Sequence, residues 1–446
     1  MCNGHHGDKK NVEPLTLGLI GIACMILLLM VRVPIGFSMA LVGLLGFSLL
    51  STFSAGFSML AMVTYKTAAS YTLTVIPLFI LMGQFANHSR MGFDLYQTAY
   101  RWLGFLPGGL AMASIGACAC FAAISGSSMA TAATMGMVAL PEMKRFKYDD
   151  ALATGCVAAG GTLGILIPPS TVMIIYGILT EQSIGTLFIA GIIPGLILSG
   201  LFMAAIYIVT KRNPALGPPG PRFSLKEKIY SLKDTWGVIT LFLLIIGGLY
   251  AGWFTATEAA GMGAFGAFVI TLIKRRLTRQ NLTDALLETT LTTGMIFTIL
   301  IGANIFGYFL TVSQMTDQLS TWVAGLGISR YAVMLLICLV YIILGCLMDG
   351  LAIMILTLPI VYPLVMGLGF DPIWFGVMMT LLLEMGLITP PVGLNVFVIS
   401  GIARDVPMYT IFRGIWPFFV AMVLCMFLLI VFPQIAIFLP ATMAKW

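Results

Sequence analysis

The sequence predicts an all-α polytopic membrane protein built as two inverted repeats, each with a re-entrant hairpin and a broken helix. Three observations predict it. The first is composition: 59% of the 446 residues are hydrophobic and 9% are charged, whereas a soluble domain carries about 25% charged residues. Mean hydropathy is +1.03. The second is a near-repetition. Gly164-Ile165-Leu166-Ile167-Pro168-Pro169 returns 222 residues later as Gly386-Leu387-Ile388-Thr389-Pro390-Pro391. The third is the placement of Lys and Arg, which gather in a few loops, as in the cytoplasmic loops of membrane proteins.

The spans follow from apolar runs near or above the ~18–20 residues that cross a bilayer. They lie at 15–31, 34–50, 236–251, 259–273 and 411–439. Helical composition argues against a β-barrel of short alternating strands. The first run follows Asp8, Lys9 and Lys10 and leads directly into another apolar run, so it reads as a retained helix and not a cleaved signal.

The duplication extends beyond the Gly-Pro-Pro segments. Pro141 matches Pro363, Tyr148 matches Phe370 and Asp149 matches Asp371 at the same offset of 222, while Gly191-Ile192-Ile193-Pro194 matches Gly414-Ile415-Trp416-Pro417 at 223. Gly43 and Gly46 answer Gly263 and Gly266 at 220. The expected organisation is a first repeat over 1–210, a polar cytoplasmic linker over 211–235 and a second repeat over 236–446. Each repeat should run through two spans, an amphipathic stretch (55–71; 274–288) and a third span. A hairpin (about 108–141; about 329–363), a broken helix (about 149–178; about 373–400) and a final span then follow.

Five crossings per repeat is odd, so the repeats must be inverted. Charge gives an independent reading. The base of the first hairpin carries Arg90, Arg101, Lys144, Arg145 and Lys147; the base of the second carries Arg330 alone among basic residues. The linker holds Lys211, Arg212, Arg222, Lys226, Lys228 and Lys233, and the next inward loop holds Lys274, Arg275, Arg276 and Arg279. All three basic clusters share one side if both termini are outside. The first hairpin then opens to the cytoplasm and the second to the outside. Lys9 and Lys10 fit that orientation less well.

The chemistry is expected at the breaks. An interior proline costs a helix about 3 kcal/mol or more, and in a bilayer freed backbone persists only where protein or a wet cavity covers it. Matching breaks in two halves point to a transport site. Ser125-Gly126-Ser127-Ser128 at the first hairpin turn offers hydroxyls and bent-backbone carbonyls, a ligand set suited to a hard cation such as Na⁺; close packing of small residues is the alternative. Asp349, in the turn Met348-Asp349-Gly350, is a charge inside an apolar segment. It reads as a cation ligand, or as a neutral or backbone-bonded structural Asp. Glu384 aligns with Thr162 and either supports the second ion site or bonds local amides. Helix N-termini at the breaks favour an anion. Ser127, Ser128, Thr131, Pro168, Pro169 and Ser170, with Pro390, Pro391 and Asn395, are the candidate substrate contacts. Asn304 reads as interhelical glue, Glu258 as an interfacial residue, and Arg404-Asp405 as a solvated pair.

Several functions are excluded or disfavoured. The basic balance, net +6, lies in loops and is no nucleic-acid signal. The eight Cys show no C-x-x-C pair, and with three His the chain offers little for acid–base chemistry or metal binding. There is no G-x-x-x-x-G-K-[ST] loop, no H-E-x-x-H, no G-x-S-x-G and no Arg-rich span. An intramembrane enzyme therefore lacks nucleophile, base and metal, and a passive channel does not need two inverted, buried breaks.

At these residues the chain resembles the large membrane (permease) subunit of a tripartite ATP-independent periplasmic (TRAP) transporter. The resemblance runs over nearly the whole chain. It rests on Ser125-Gly126-Ser127-Ser128-Met129-Ala130-Thr131-Ala132, on Ile167-Pro168-Pro169-Ser170 with Ile175-Tyr176-Gly177, and on Leu187 to Gly195. In the second half it rests on Met348-Asp349 and Gly386-Leu387-Ile388-Thr389-Pro390-Pro391-Val392-Gly393. It implies an elevator-type importer of the bacterial inner membrane, driven by two or more Na⁺. The implied partners are a small four-helix membrane subunit and a periplasmic substrate-binding protein, and the cargo is an organic acid such as a C4-dicarboxylate or sialic acid. One Na⁺ would be held by Ser125, Gly126, Ser127, Gly161, Thr162 and Pro168. A second would be held by Gly345, Met348, Asp349, Gly386, Thr389 and Gly393. Sialic-acid types tend to have an acidic residue in the first tip where this chain has Thr131, which weakens that substrate. The alternative reading is a stand-alone dicarboxylate- or gluconate-type anion symporter with no binding protein.

Overall fold

Proline and glycine decide where this apolar chain stops being helix. In a computed structural model that describes residues 13–325 and 327–443, every regular element is helical. The N-terminal tail with Asp8, Lys9 and Lys10 lies outside the described residues. Among these residues, six helices are long and apolar enough to cross a membrane, and eight if two broken pairs each count as one span.

Pro14–Met30 and Ile35–Leu50 are the first two helices. Between them Arg32 takes a left-handed φ of 67°, and Pro34, which has no amide hydrogen to donate, opens the second. The amphipathic stretch of the first half forms Phe53–Ala68, capped by Thr52. After a short 3₁₀ turn, Tyr71–Thr74, the chain resumes as Val75–His88. The second half differs here. Its counterpart is one unbroken helix, Arg279–Val312, where an amphipathic stretch from 274 and a separate span were expected. Pro77 near the first break has Ile299 at its offset of 222, so nothing in the second half removes an amide from the ladder. The apolar run at 411–439 is split as well. Met408–Val431 ends at Phe432, and Gln434–Thr442 restarts after Pro433, because the residue before a proline disfavours helical backbone.

The chain divides into two compact units that cut across the sequence halves. One takes the residues up to Ser70, Gly294–Ser329 and Ile355–Leu368; the other takes Tyr71–Thr293, Arg330–Met354 and the chain from Gly369. Glycines explain the exchange. In the first unit Gly43 sits so close to Phe306 that a Cβ would lie 2.8 Å from its backbone, and one on Gly302 would lie 2.1 Å from the Gly36 carbonyl oxygen. In the second unit Gly263 of Ala256–Ile273 lies against Met82 of Val75–His88. So the second helix of each half packs on the third span of the other, through small residues that let backbones approach. Asn304 is the interhelical bond expected of it, donating to Thr67 Oγ1 at 3.1 Å. A Gly302→Leu variant should lose about 1–3 kcal/mol to overpacking, read as a lower melting temperature of the purified protein.

The second unit contains both tips and both broken helices. The first hairpin is Gly109–Ser125 and Ser128–Arg145; the second is Arg330–Gly345 and the helix beginning at Gly350. The broken helices begin at matched aspartates. Asp149 Oδ1 accepts from the Leu152 amide (3.1 Å), and Asp371 Oδ1 accepts from Ile373 (2.8 Å) and Trp374 (2.9 Å). Asp149 and Asp371 are thus N-caps, which satisfy amides that the first turn leaves orphaned.

Candidate functional site

The first break is built by three short-range choices. Asp150–Gly161 and the single turn Leu163–Leu166 end at Ile167, whose backbone turns extended. Pro168-Pro169, joined by a cis peptide, cannot continue the helix. Ser170 then caps Thr171–Leu179, its hydroxyl accepting from the Met173 amide at 3.3 Å. Opposite lies the hairpin tip. Gly126 takes φ 60° and closes one helix; Ser127 turns extended and caps the next, its Oγ accepting from Ala130. The two meet backbone to backbone. The Thr171 hydroxyl donates to the Gly126 carbonyl at 3.1 Å. A Cβ on Gly164 would lie 2.5 Å from the Ser127 carbonyl oxygen and 2.7 Å from Thr131 Oγ1. Ser125 and Thr131 share a hydrogen bond of 2.7 Å. Ser125, Ser128, Thr131, Thr162, Pro168, Pro169 and Ser170 are all buried. Thr162 Oγ1 is occupied, donating to the Ala159 carbonyl at 2.6 Å.

The second break repeats the design with one residue more. Pro372–Ile388 ends at Thr389, a second cis Pro390-Pro391 follows, and Gly393 at φ 60° precedes Leu394–Ile402. Ser170 in the first half is replaced by Val392-Gly393 in the second. This insertion turns the offset of 222 before the breaks into 223 after them. Hairpin and helix again cross through glycine: a Cβ on Gly386 would lie 2.4 Å from Gly345 Cα. Thr389 Oγ1 donates to the Met385 carbonyl at 2.5 Å. Asp349 accepts from the Leu351 amide at 3.2 Å, and Met348 is half-buried. Asp349, Pro390 and Pro391 are exposed, unlike their first-half counterparts.

The two halves are stitched together along their broken helices. Ser128 Oγ donates to Glu384 Oε1 at 2.5 Å, across 256 residues. Tyr176 OH donates to the Pro372 carbonyl at 2.7 Å. Asn395, fully buried, donates weakly to the Ala158 carbonyl at 3.4 Å. The tip and the break of each half lie against each other; for Glu384 the sequence offered a local or an ion-site role but not the bond to Ser128. Its one signal was an acidic residue in an apolar helix. Thr171 and Gly83 carried none, while Gly164 was marked by opening the repeated Gly-to-Pro-Pro segment: a Cβ on Gly83 would lie 2.8 Å from the Ser125 carbonyl.

Electrostatically the site is one-sided. Segments 104–143, 151–210 and 331–403 hold no Lys, Arg or His. The donors are hydroxyls, carbonyls, an amide and carboxylates, which suit a hard monovalent or alkaline-earth cation. Among the described residues no cluster of three His, Cys, Asp or Glu could hold a transition metal. At the base of the first hairpin the expected pair Arg404-Asp405 is replaced. Asp405 pairs with Lys144, which holds its carboxyl below the usual range, and Arg404 turns to the Gly401 carbonyl. The substitution follows from reach, since neighbours in sequence at a helix end diverge while hairpin and loop face each other. A cavity of about 210 Å³ adjoins the pair, lined in part by Pro141, Tyr148, Asp150 and Ile402.

Comparison with known proteins agrees with this architecture. The chain is 41% identical over 387 residues, 85% of it and 89% of the relative, to the C4-dicarboxylate TRAP transporter large permease protein DctM of Pseudomonas aeruginosa. It is 33% identical over 414 residues to the sialic acid TRAP transporter large permease protein SiaM of Vibrio cholerae, covering 93% of this chain and 96% of that one. Against the isethionate TRAP transporter permease protein DctMQ of Oleidesulfovibrio alaskensis identity is 34% over 379 residues, 85% of this chain and 59% of that one. The YdaH transporter of Alcanivorax borkumensis shares the fold at TM-score 0.62 and 14% identity, over 86% of this chain and 89% of that one. MtrF of Neisseria gonorrhoeae does so at TM-score 0.60 and 14% identity, over 95% of each. The family model for the DctM component of tripartite ATP-independent periplasmic transporters matches residues 22–435, and with its paired hairpin tips and Pro-Pro breaks this chain is a member of that family, a multi-pass membrane transporter.

Proposed function

We propose that the chain imports a small organic acid anion together with Na⁺, two or more ions per cycle, after a periplasmic binding protein delivers the anion. The observation that carries this reading is the charge of the site. Glu384 and Asp349 bring carboxyl oxygens, and the hairpins and broken helices between 104 and 403 bring no basic side chain to meet an incoming anion, apart from those at the hairpin bases. Helix N-termini at Ser128 and Thr171 contribute only partial charge. A carboxylate therefore enters with cations or not at all. Ser125, Gly126, Ser127 and Gly161 on one side, and Gly345, Met348, Asp349 and Gly393 on the other, supply oxygen ligands for two of them. The anion contacts fall to Ser127, Thr131 and Ser170.

The relatives are named for a C4-dicarboxylate, sialic acid and isethionate, which share an acidic anionic group. The higher identity to the first favours a dicarboxylate. The energetics suffice: each charge moved inward gains about 2.3 kcal/mol per 100 mV, and one net charge moves with about two Na⁺ for a monoanion or about three for a dicarboxylate dianion. Partnership with a small membrane subunit, residence in the bacterial inner membrane, periplasmic termini and an elevator movement belong to the same reading.

The test is uptake into proteoliposomes holding the assembled transporter and its binding protein. An inward Na⁺ gradient should drive concentrative uptake, and K⁺ in its place should not. Equal uptake in K⁺ overturns the reading. Uptake without the binding protein would favour a stand-alone symporter. Asp349→Ala should raise the Na⁺ concentration needed for half-maximal uptake at equal expression; an unchanged Na⁺ dependence removes Asp349 from the mechanism.

A further inference from the structure

We infer that Glu384 and Asn395 hold a cation of their own, where the tip of the first hairpin meets the second broken helix. The inference rests on the cation-coupled reading above and adds a site drawn mainly from the second half. Glu384 sits inside Pro372–Ile388 at 1% exposure. Its Oε1 accepts from Ser128, and its Oε2 has no hydrogen-bond partner. Helical amides around it are already spent on the backbone ladder, so they cannot satisfy it. Asn395 stands in the first turn beyond the second break, at 0% exposure. Its Nδ2 faces the Ala158 carbonyl, which leaves Oδ1 as the free atom, and that oxygen also lacks a partner.

Glu384 meets Ser128 and Asn395 meets Ala158, and Gly161 lies between the two contacts. A Cβ on Gly161 would lie 2.7 Å from Ala132 Cβ and 3.1 Å from both Asn395 Nδ2 and the Ser128 carbonyl oxygen, so glycine is what lets these groups come this close. Ser128 thus presents its hydroxyl to Glu384 and its carbonyl towards Asn395. Two buried acceptors without donors are costly, and a buried carboxylate without a counter-charge is more so. The hairpins and broken helices supply no Lys, Arg or His as a counter-charge, and Arg413 of the neighbouring helix Met408–Val431 is exposed. Carboxylate, amide and hydroxyl oxygens are the donors an alkali cation takes. The site also links the halves: a cation there fixes the first tip against the second break.

The test is equilibrium binding of ²²Na⁺ to the purified transporter, without substrate. Glu384→Gln keeps shape and a partner for Ser128 while removing the charge, and it should bind one Na⁺ fewer per chain than wild type. Asn395→Ala should keep the count and raise the midpoint at least fivefold. Wild-type count and midpoint in Glu384→Gln overturn the inference and leave Na⁺ coupling standing. No Na⁺ binding by wild type overturns both. If Glu384→Gln is not monodisperse, Asn395→Ala and Ser128→Ala decide, and unchanged midpoints in both refute the site.

Discussion

Gly164→Val should lower the initial rate of uptake about tenfold to a hundredfold at equal membrane expression. The added Cβ would fall 2.5 Å from the Ser127 carbonyl oxygen and 2.7 Å from Thr131 Oγ1. Neither neighbour can yield cheaply. Ser127 is pinned as the cap of an 18-residue helix, and Thr131 is bonded to Ser125. Overpacking of this kind costs about 1–3 kcal/mol, and about 1.4 kcal/mol is a factor of ten. The tip would be pushed off the break, taking with it the carbonyls assigned to the first cation. Gly164→Ala already places the offending atom, so it should show most of the loss. Gly200→Val is the control: nothing lies within 4 Å of a Cβ there, and its uptake should stay within twofold of wild type. Full activity in Gly164→Val would mean that the tip and the break need not touch.

Gly386→Val should be the most damaging change in the second half. Its Cβ would meet Gly345 Cα at 2.4 Å, the carbonyl carbon at 2.8 Å and its oxygen at 3.0 Å. These are backbone atoms of the facing hairpin helix, which no rotamer change can move. The cost falls at the upper end of overpacking, about 3 kcal/mol, and should appear both as a lower melting temperature and as lost uptake. Gly345→Ala, approached from the other helix at 2.7 Å, should reproduce the defect in milder form. A Gly386→Val protein of wild-type stability and rate would dissolve the close crossing.

Much of this site was legible because proline and glycine act locally. Pro168-Pro169 and Pro390-Pro391 stop helices whatever surrounds them, and Gly126 marks a left-handed turn. Matching Asp149 with Asp371 was legible too, although its meaning as a pair of caps needed the structure. Pairings across the fold were not legible. Ser128 and Glu384 are 256 residues apart, and periodicity carries no information about which helix faces which. The same blindness assigned Asp405 to its neighbour Arg404 instead of Lys144. It also made the sequence halves look like the natural units, whereas glycine contacts such as Gly36 with Gly302 exchange helices between them. Asp349 read as a cation ligand or a backbone-bonded Asp, and the structure shows it exposed at the tip and accepting from the Leu351 amide.

The account depends on the two halves facing opposite ways across the bilayer, so that one tip serves each side of a shared pocket. Cysteine accessibility reads this directly. Lys144→Cys stands at the base of the first hairpin, and Gly367→Cys at the base of the second, where nothing lies within 4 Å of a new Cβ. All eight native cysteines are replaced first, Cys2 and the exposed Cys24 and Cys120 among them. In intact cells a membrane-impermeant maleimide should label position 367 and spare 144, and permeabilised cells should show both. Labelling of the two positions from one side would contradict the inverted arrangement and the transport mechanism built on it.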